Sequence, residues 1–307
     1  MPVMRRAGQR PTVLIIGAGA LGRSLAALLA DKAFVTVYDR NAPASRTMKK
    51  GWFILREKGR TRKVEIRAIA SLAELKSSKV DVLIFATKIM GLRRAVAEAA
   101  GLDPRYVLFP QNGIFETDWT KRAFKKAKIC RAVTTMACQA NGQHEARLFY
   151  KGDFYIGGDG ADVLAGLFRQ CGAKAKAYED PSGAVWAKLI FSAVMNPLPV
   201  ITAKGYDVLK KDREAWALVR QAIGEGRKTA RALKVKLAFD PMKLIRRVRD
   251  GDLAGITHQG SIAQDLGAGR ATELDLITGA LIRQARRVNI KTPSLDTIFR
   301  RARAAGA

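Results

Sequence analysis

Apolar positions in the first 180 residues fall into short runs separated by helical stretches. Thr12–Ile16 is a five-residue β-prone run, and Phe34–Tyr38 is a second. Residues 80–86 form an almost continuous apolar run, as expected of a strand buried on both faces of a parallel sheet. Residues 106–109 make another short strand, ending at Pro110-Gln111-Asn112-Gly113. The alternation over residues 64–69 predicts one further strand, and residues 131–136 and 149–156 carry β patterns too. A helical pattern over residues 21–30 follows the first run directly. Strands alternating with helices predict an α/β sheet covered on both faces.

The pattern changes near Asp180-Pro181-Ser182-Gly183. Beyond it the periodicity is helical: residues 184–195, ended or kinked by Pro197 and Pro199, then 215–233 and 241–248. Residues 275–288 place Leu276, Ile277, Leu281 and Ile282 on one face. The chain is thus predicted to hold an α/β domain over residues 1–179 and an all-α domain over residues 180–307, without internal repeats.

Composition narrows the class. The 307 residues are 48% hydrophobic and 27% charged, the balance of a globular chain. No unbroken apolar run reaches 18 residues, so no membrane span is predicted. Residues 1–11 carry Arg5, Arg6 and Arg10 without an apolar signal core and read as a short disordered lead-in. Cys130, Cys138 and Cys171 show no metal spacing, and His144 and His258 are the only histidines. No metal site is expected, and the cysteines read as free thiols in a reducing cytoplasm. The formal net charge of +28 favours anionic ligands. Its basic residues are dispersed, and no helix-turn-helix, zinc-finger or RRM signature accompanies them. Specific nucleic-acid binding is therefore not expected.

The first strand runs into Gly17-Ala18-Gly19-Ala20-Leu21-Gly22, a Gly-x-Gly-x-x-Gly turn opening a helix. That is the fingerprint of a Rossmann-type dinucleotide-binding domain. Gly17 serves the tight turn, Gly19 admits the pyrophosphate to the backbone, and Gly22 lets helix and strand pack closely. The helix N-terminus offers unpaired N–H groups to the anion. Asp39 ends the second strand 22 residues after Gly17. An acid there suits the ribose hydroxyls of NAD and repels the 2′-phosphate of NADP, yet Arg40 follows at once, with Arg46, Lys49 and Lys50 close behind. Two more strand ends carry polar residues, Thr87-Lys88 and Asn112-Gly113, and ligands of open α/β sheets bind at strand C-termini. In the helical half, Lys188 lies among Trp186, Leu189, Ile190 and Phe191. Such a lysine either snorkels to solvent or is desolvated and suited to proton transfer. Asn196 follows two turns later on roughly the same face. Glu273 precedes the last long periodic segment.

Five segments resemble the ketopantoate reductase (2-dehydropantoate 2-reductase) family. They are the glycine turn, Ala86-Thr87-Lys88, Gln111-Asn112-Gly113, Trp186-Ala187-Lys188-Leu189 running to Asn196-Pro197-Leu198, and Ser261-Ile262-Ala263-Gln264-Asp265 with Thr272-Glu273-Leu274-Asp275. The resemblance implies NADPH-dependent reduction of 2-dehydropantoate to pantoate, on the route to coenzyme A. It implies Lys188 as general acid and Glu273 as its orienting partner. It implies Lys88 and Asn112 near the cofactor, and Asn112, Lys188, Ser192, Asn196 and Ser261 near the substrate. The helical domain is the expected substrate and homodimerisation domain. Ser192 and Tyr206 stand where family members often carry asparagines, which opens the alternative of another branched 2-keto acid. A noncatalytic dinucleotide- or nucleic-acid-binding protein is the alternative from a different class. NADP is the expected cofactor, with NAD admitted by Asp39.

Overall fold

The computed structural model describes residues 10–40, 52–57, 60–142, 145–251 and 260–307. The lead-in before Arg10, the basic residues Arg46, Lys49 and Lys50, and both histidines lie outside the described residues. Two compact units are present. One contains the described residues up to Gln111 together with Glu116–Pro181, and the other contains Asn112–Phe115 and Ser182–Ala307.

The first unit is built on eight strands: β1 (Thr12–Ile16), β2 (Phe34–Tyr38), β5 (Arg67–Ile69), β6 (Lys79–Phe85), β7 (Asp103–Phe109), β8 (Lys128–Thr134), β11 (Asp153–Gly158) and β12 (Lys174–Tyr178). Their spatial order is β12-β11-β8-β7-β6-β1-β2-β5. Neighbouring strands run parallel except at β8–β11, which is antiparallel. Ile16 pairs with Tyr38 on one side and Phe85 on the other, so β1 and β6 border the point where strand order reverses. Ligands of doubly wound sheets bind at that crevice. The middle strands are buried on both faces, with Val13, Leu14, Ile15, Val82, Leu83 and Ile84 all inaccessible. Helix α1 (Ala20–Leu29) follows β1, α2 (Ile89–Glu98) follows β6, and α3 (Ala161–Gln170) joins β11 to β12.

A second sheet lies against α1. It consists of β3 (Trp52–Glu57), β4 (Arg60–Glu65), β9 (Ala137–Asn141) and β10 (Glu145–Tyr150), in the order β4-β3-β10-β9. It corrects two expectations. The alternation over residues 64–69 is not one strand: it turns a corner at Ile66, leaving β4 in the small sheet and β5 in the large one. The alternation survives the corner because Val64, Ile66, Ala68 and Ile69 all reach buried positions. Residues 149–156 are likewise divided, by Lys151-Gly152. Gly152 has φ +70°, and a Cβ on it would lie 2.3 Å from the Met136 nitrogen. The strand expected at 131–136 begins earlier and stops at Thr134.

The second unit is helical: α4 (Ser182–Met195), α5 (Leu198–Thr202), α6 (Val208–Lys211), α7 (Arg213–Ala232), α8 (Pro241–Asp250), α9 (Ser261–Gly267), α10 (Ala280–Arg287) and α11 (Pro293–Ala304). Helix α4 is its centre. Ala187, Leu189, Ile190, Ala193, Val194 and Met195 are fully buried. Helix α7 packs on α4 at Gly226, where a Cβ would fall 2.8 Å from Ile190 Cγ2. The segment predicted at 275–288 opens with a π-helical turn, Asp275–Gly279, before α10. By length and composition, Ser182–Thr202 is long and apolar enough to cross a membrane, which the search for unbroken apolar runs does not detect. In the structure 67% of its apolar window is buried, as suits a core helix. The three cysteines are free.

Glu225 on α7 closes the start of α11. Its buried carboxylate accepts from the Ser294 and Leu295 N–H groups at 2.8 and 2.9 Å. Two charge-assisted bonds to otherwise unpaired helix N–H groups stabilise this corner. Glu225→Ala is expected to lower the unfolding free energy by about 3 kcal/mol, read from urea denaturation.

Candidate active site

In the first unit, β1 delivers the chain into the glycine turn at the reversal point. Gly17 has φ +108°, and a Cβ there would press to 3.0 Å against the Ala86 carbonyl at the end of β6. Gly22 is more constrained still, since its Cβ would sit 1.9 Å from the Gly17 oxygen. Gly19 is the opposite case: its Cβ position looks onto open space, and it forms the N-cap of α1 without a side-chain cap. The turn is therefore shaped by close packing at Gly17 and Gly22 and left open at Gly19, above the unpaired N–H groups of a helix N-terminus. That arrangement fits a pyrophosphate.

Both peptide groups that flank Ala18 are held. Its N–H donates to Asp39 Oδ2 at 2.7 Å, and its carbonyl accepts from Arg23 Nε at 2.7 Å. Arg23 is buried, and Nη1 also donates to the Gly142 and Glu145 carbonyls of the small sheet. Burial lowers the Arg23 pKa, and the nearby Asp39 charge opposes that shift. Arg40 is turned to Glu98 of α2, with Nη1 3.6 Å from Oε1.

The neighbouring strand ends are tied together by Gln111. Its buried Nε2 donates to the Phe85 carbonyl at 2.6 Å and the Thr87 carbonyl at 3.1 Å. Its own carbonyl accepts from Arg131 Nη2 at 3.2 Å. Desolvation by burial drives the Arg131 pKa down. Lys88 is the half-buried N-cap of α2, and next to it Thr87 Oγ1 is buried without a hydrogen bond. An orphaned hydroxyl beside a helix N-terminus at this strand end is a second feature that suits a polar ligand.

The second unit holds most of the residues that the resemblance assigns to the substrate. Lys188, Ser192 and Asn196 recur at intervals of four along α4 and its C-terminal turn, and so share a face. Lys188 is half-buried, its Nζ 5.0 Å from the centroid of the Phe191 ring. Ser192 is fully buried and its Oγ makes no hydrogen bond. Gly260, at the N-cap of α9, comes so close to Asn196 that a Cβ would stand 2.8 Å from its carbonyl oxygen and 2.7 Å from the Tyr206 hydroxyl. Asn196, Tyr206 and the Gly260-Ser261 segment therefore meet. Tyr206 is buried, and desolvation raises its pKa. Half-buried Glu273 supplies the carbonyl that accepts from the Leu276 and Ile277 N–H groups, opening the π turn. Thr278 of that turn donates through Oγ1 to the Ala193 carbonyl of α4 at 2.8 Å. The helix bearing Lys188 and the turn that follows Glu273 are thus bonded to each other. Asn112 belongs to the short segment that clusters with this unit.

Arg23 and Arg131 are absent from the sequence reading although each braces a turn of the site. For both the signal is a charge inside an apolar pattern: Arg23 between Gly22 and a run of buried helix positions, Arg131 between Cys130 and Ala132 in β8. No cluster of histidine, cysteine and acidic residues suited to a metal occurs among the described residues.

Comparison with known proteins points one way. Residues 13–159 match the family model "Ketopantoate reductase PanE/ApbA", and residues 181–305 match "Ketopantoate reductase PanE/ApbA C terminal". A 2-dehydropantoate 2-reductase of Archaeoglobus fulgidus is 24% identical over 287 residues, covering 91% of this chain and 92% of its own. The crystal structure of a PanE/ApbA family ketopantoate reductase from Ralstonia eutropha is 26% identical with a TM-score of 0.80, covering 96% of this chain and 98% of its own. A D-mandelate dehydrogenase solved with NADH and anilino(oxo)acetate shares the fold, with a TM-score of 0.83, 24% identity and the same coverage.

The two helix-side glycines of the turn are expected to fail differently on substitution. Gly22→Ala forces the backbone apart and should cost about 3 kcal/mol of stability, measured by thermal and urea unfolding. Gly19→Ala should leave the melting curve near wild type while weakening dinucleotide binding, measured by calorimetry.

Proposed function

This chain belongs to the ketopantoate reductase PanE/ApbA family, and from that premise we propose that it reduces the ketone of 2-dehydropantoate to the alcohol of pantoate. A nicotinamide dinucleotide seated on the Gly17–Gly22 turn supplies the hydride. NADPH is the expected donor, and Asp39 admits NADH beside it. Lys88 and Asn112 are assigned to the cofactor, the latter also to the substrate. The carrying observation is that α4 presents Lys188, Ser192 and Asn196 on one face and is bonded, through Thr278, to the turn that opens at Glu273.

Hydride addition places negative charge on the carbonyl oxygen. The Lys188 ammonium stabilises that charge and hands over a proton, acting as general acid. Its partial burial strengthens this interaction, because the charge is less screened than in open water. Glu273 accepts a hydrogen bond near the reacting oxygen and keeps the ammonium oriented. Asn196 and Ser261 offer neutral polar groups to the rest of the substrate, and Gly260 is the residue that lets their segments approach. The helical unit is the proposed homodimerisation surface, and the free cysteines suit a cytoplasmic setting.

One observation favours a second substrate. The Ser192 hydroxyl is fully buried on the Lys188 face without a hydrogen bond. An unmatched polar group discriminates strongly among substrates. Another branched 2-keto acid is the alternative, and the D-mandelate dehydrogenase of the same fold, solved with anilino(oxo)acetate, brings aryl-bearing 2-keto acids into the same test.

Two results check these readings. Purified protein should oxidise NADPH on addition of 2-dehydropantoate. In a parallel panel of branched and aryl 2-keto acids, a preference for one of these assigns the second substrate. Lys188→Ala should lower kcat by about 10²–10⁴ while leaving the dissociation constant for NADPH near wild type. Near-normal turnover in the folded variant would reassign the proton donor.

A further inference from the structure

The end of β2 sets two opposite signals side by side. Asp39 is the acid that in such folds reads the ribose 2′-hydroxyl, and a nearby arginine is the group that accommodates a 2′-phosphate. Here the carboxylate of Asp39 is fixed by the Ala18 N–H at 2.7 Å. The next residue, Arg40, directs its guanidinium to Glu98 in the last turn of α2.

Glu98 is an unusual acid for its position. A carboxylate at a helix C-terminus opposes the helix dipole. Three groups converge on this one: Arg94 Nε donates to Oε1 at 3.0 Å, the Tyr38 hydroxyl donates to Oε2 at 3.2 Å, and Arg40 Nη1 lies 3.6 Å from Oε1. Tyr38 and Arg40 flank Asp39 in sequence. Glu98 thus engages the residues on both sides of the ribose-reading acid, from a helix whose N-cap is Lys88. It is the acid towards which the cation beside Asp39 is turned.

We propose that Glu98 is a positioning residue for cofactor choice: by engaging Arg40 it withholds that guanidinium from a 2′-phosphate and shifts the balance towards NADH. The proposal rests on the reading that the Gly17–Gly22 turn binds a nicotinamide dinucleotide. It adds a residue that does not touch the cofactor but governs which form is preferred. The Arg40 side chain is about half exposed and the contact is a long 3.6 Å, so the hold is modest and can be released by a single substitution.

The test is a binding cycle on the full chain. Dissociation constants for NADH and NADPH are measured by calorimetry for wild type, E98Q, R40A and the double variant. E98Q keeps the side-chain size and can still accept from Tyr38, so the fold should hold, as thermal melting will verify. E98D is the second variant, shortening the side chain while keeping its charge. Releasing Arg40 should tighten NADPH about fivefold in E98Q, the scale of one solvent-exposed ion contact, with NADH unchanged. E98D should move NADPH in the same direction. Adding R40A to E98Q should erase the gain, and R40A in wild type should cost NADPH less than it does in E98Q. The proposal is overturned if E98Q moves both cofactors alike or neither. It is also overturned if R40A weakens NADPH equally with and without Glu98. If wild type binds neither nucleotide, the dinucleotide reading falls with it. If both bind and their ratio stays fixed across the cycle, only the role of Glu98 is lost.

Discussion

The site depends on Ala18 being clamped through both of its flanking peptide groups. Asp39 takes its N–H and Arg23 takes its carbonyl, each at 2.7 Å. A glycine-rich turn gains freedom from its glycines and must lose it again to bind a ligand without a large entropic cost. The clamp supplies that loss. Arg23 also reaches the Gly142 and Glu145 carbonyls, so the turn is referenced to the small sheet as well as to β2. The charge buried with Arg23 is costly alone, and the Asp39 field and three carbonyl acceptors offset it. A similar device recurs at the neighbouring strand ends, where Gln111 is donor to β6 and its loop, and acceptor from Arg131.

Much of this was legible in the chain. The parallel sheet announced itself through apolar runs such as residues 80–86, because a strand buried on both faces has no polar side to show. The glycine turn was legible because each glycine answers a steric demand. A Cβ on Gly17 or Gly22 would meet backbone at 3.0 or 1.9 Å, and one on Gly19 would meet nothing. Lys188 stood out as a charge in an apolar helix, and the four-residue spacing to Ser192 and Asn196 follows from helix geometry alone.

What was not legible depended on contacts remote in sequence. The small sheet went unseen as a separate layer because β4 and β5 share one uninterrupted alternation, and only the corner at Ile66 assigns them to different sheets. The meeting of Asn196, Tyr206 and Gly260 joins three places whose local patterns say nothing of one another. Nor could periodicity foresee that the segment opening at Glu273 begins with a π turn bonded to Ala193. Arg23 and Arg131 were hidden for the converse reason: arginine is usually a solvated surface residue, and their acceptors are backbone carbonyls, which leave no mark in the sequence.

The stretch Ser182–Thr202 carries a consequence for how the protein is made. It is as apolar and as long as a membrane span, and the elements that cover it, α7 to α11, all lie downstream. During synthesis this helix emerges ahead of the elements that cover it and is covered step by step as they follow, Pro293–Ala304 being the last of them among the described residues. For that interval the nascent chain presents a surface that lipid, the insertion machinery or another nascent copy can claim. The helical half cannot bury its own centre from its N-terminal part, so a chain stopped short of α11 leaves part of this surface bare. The same residues that give the helical unit its centre are therefore the most apolar surface of the unfinished chain.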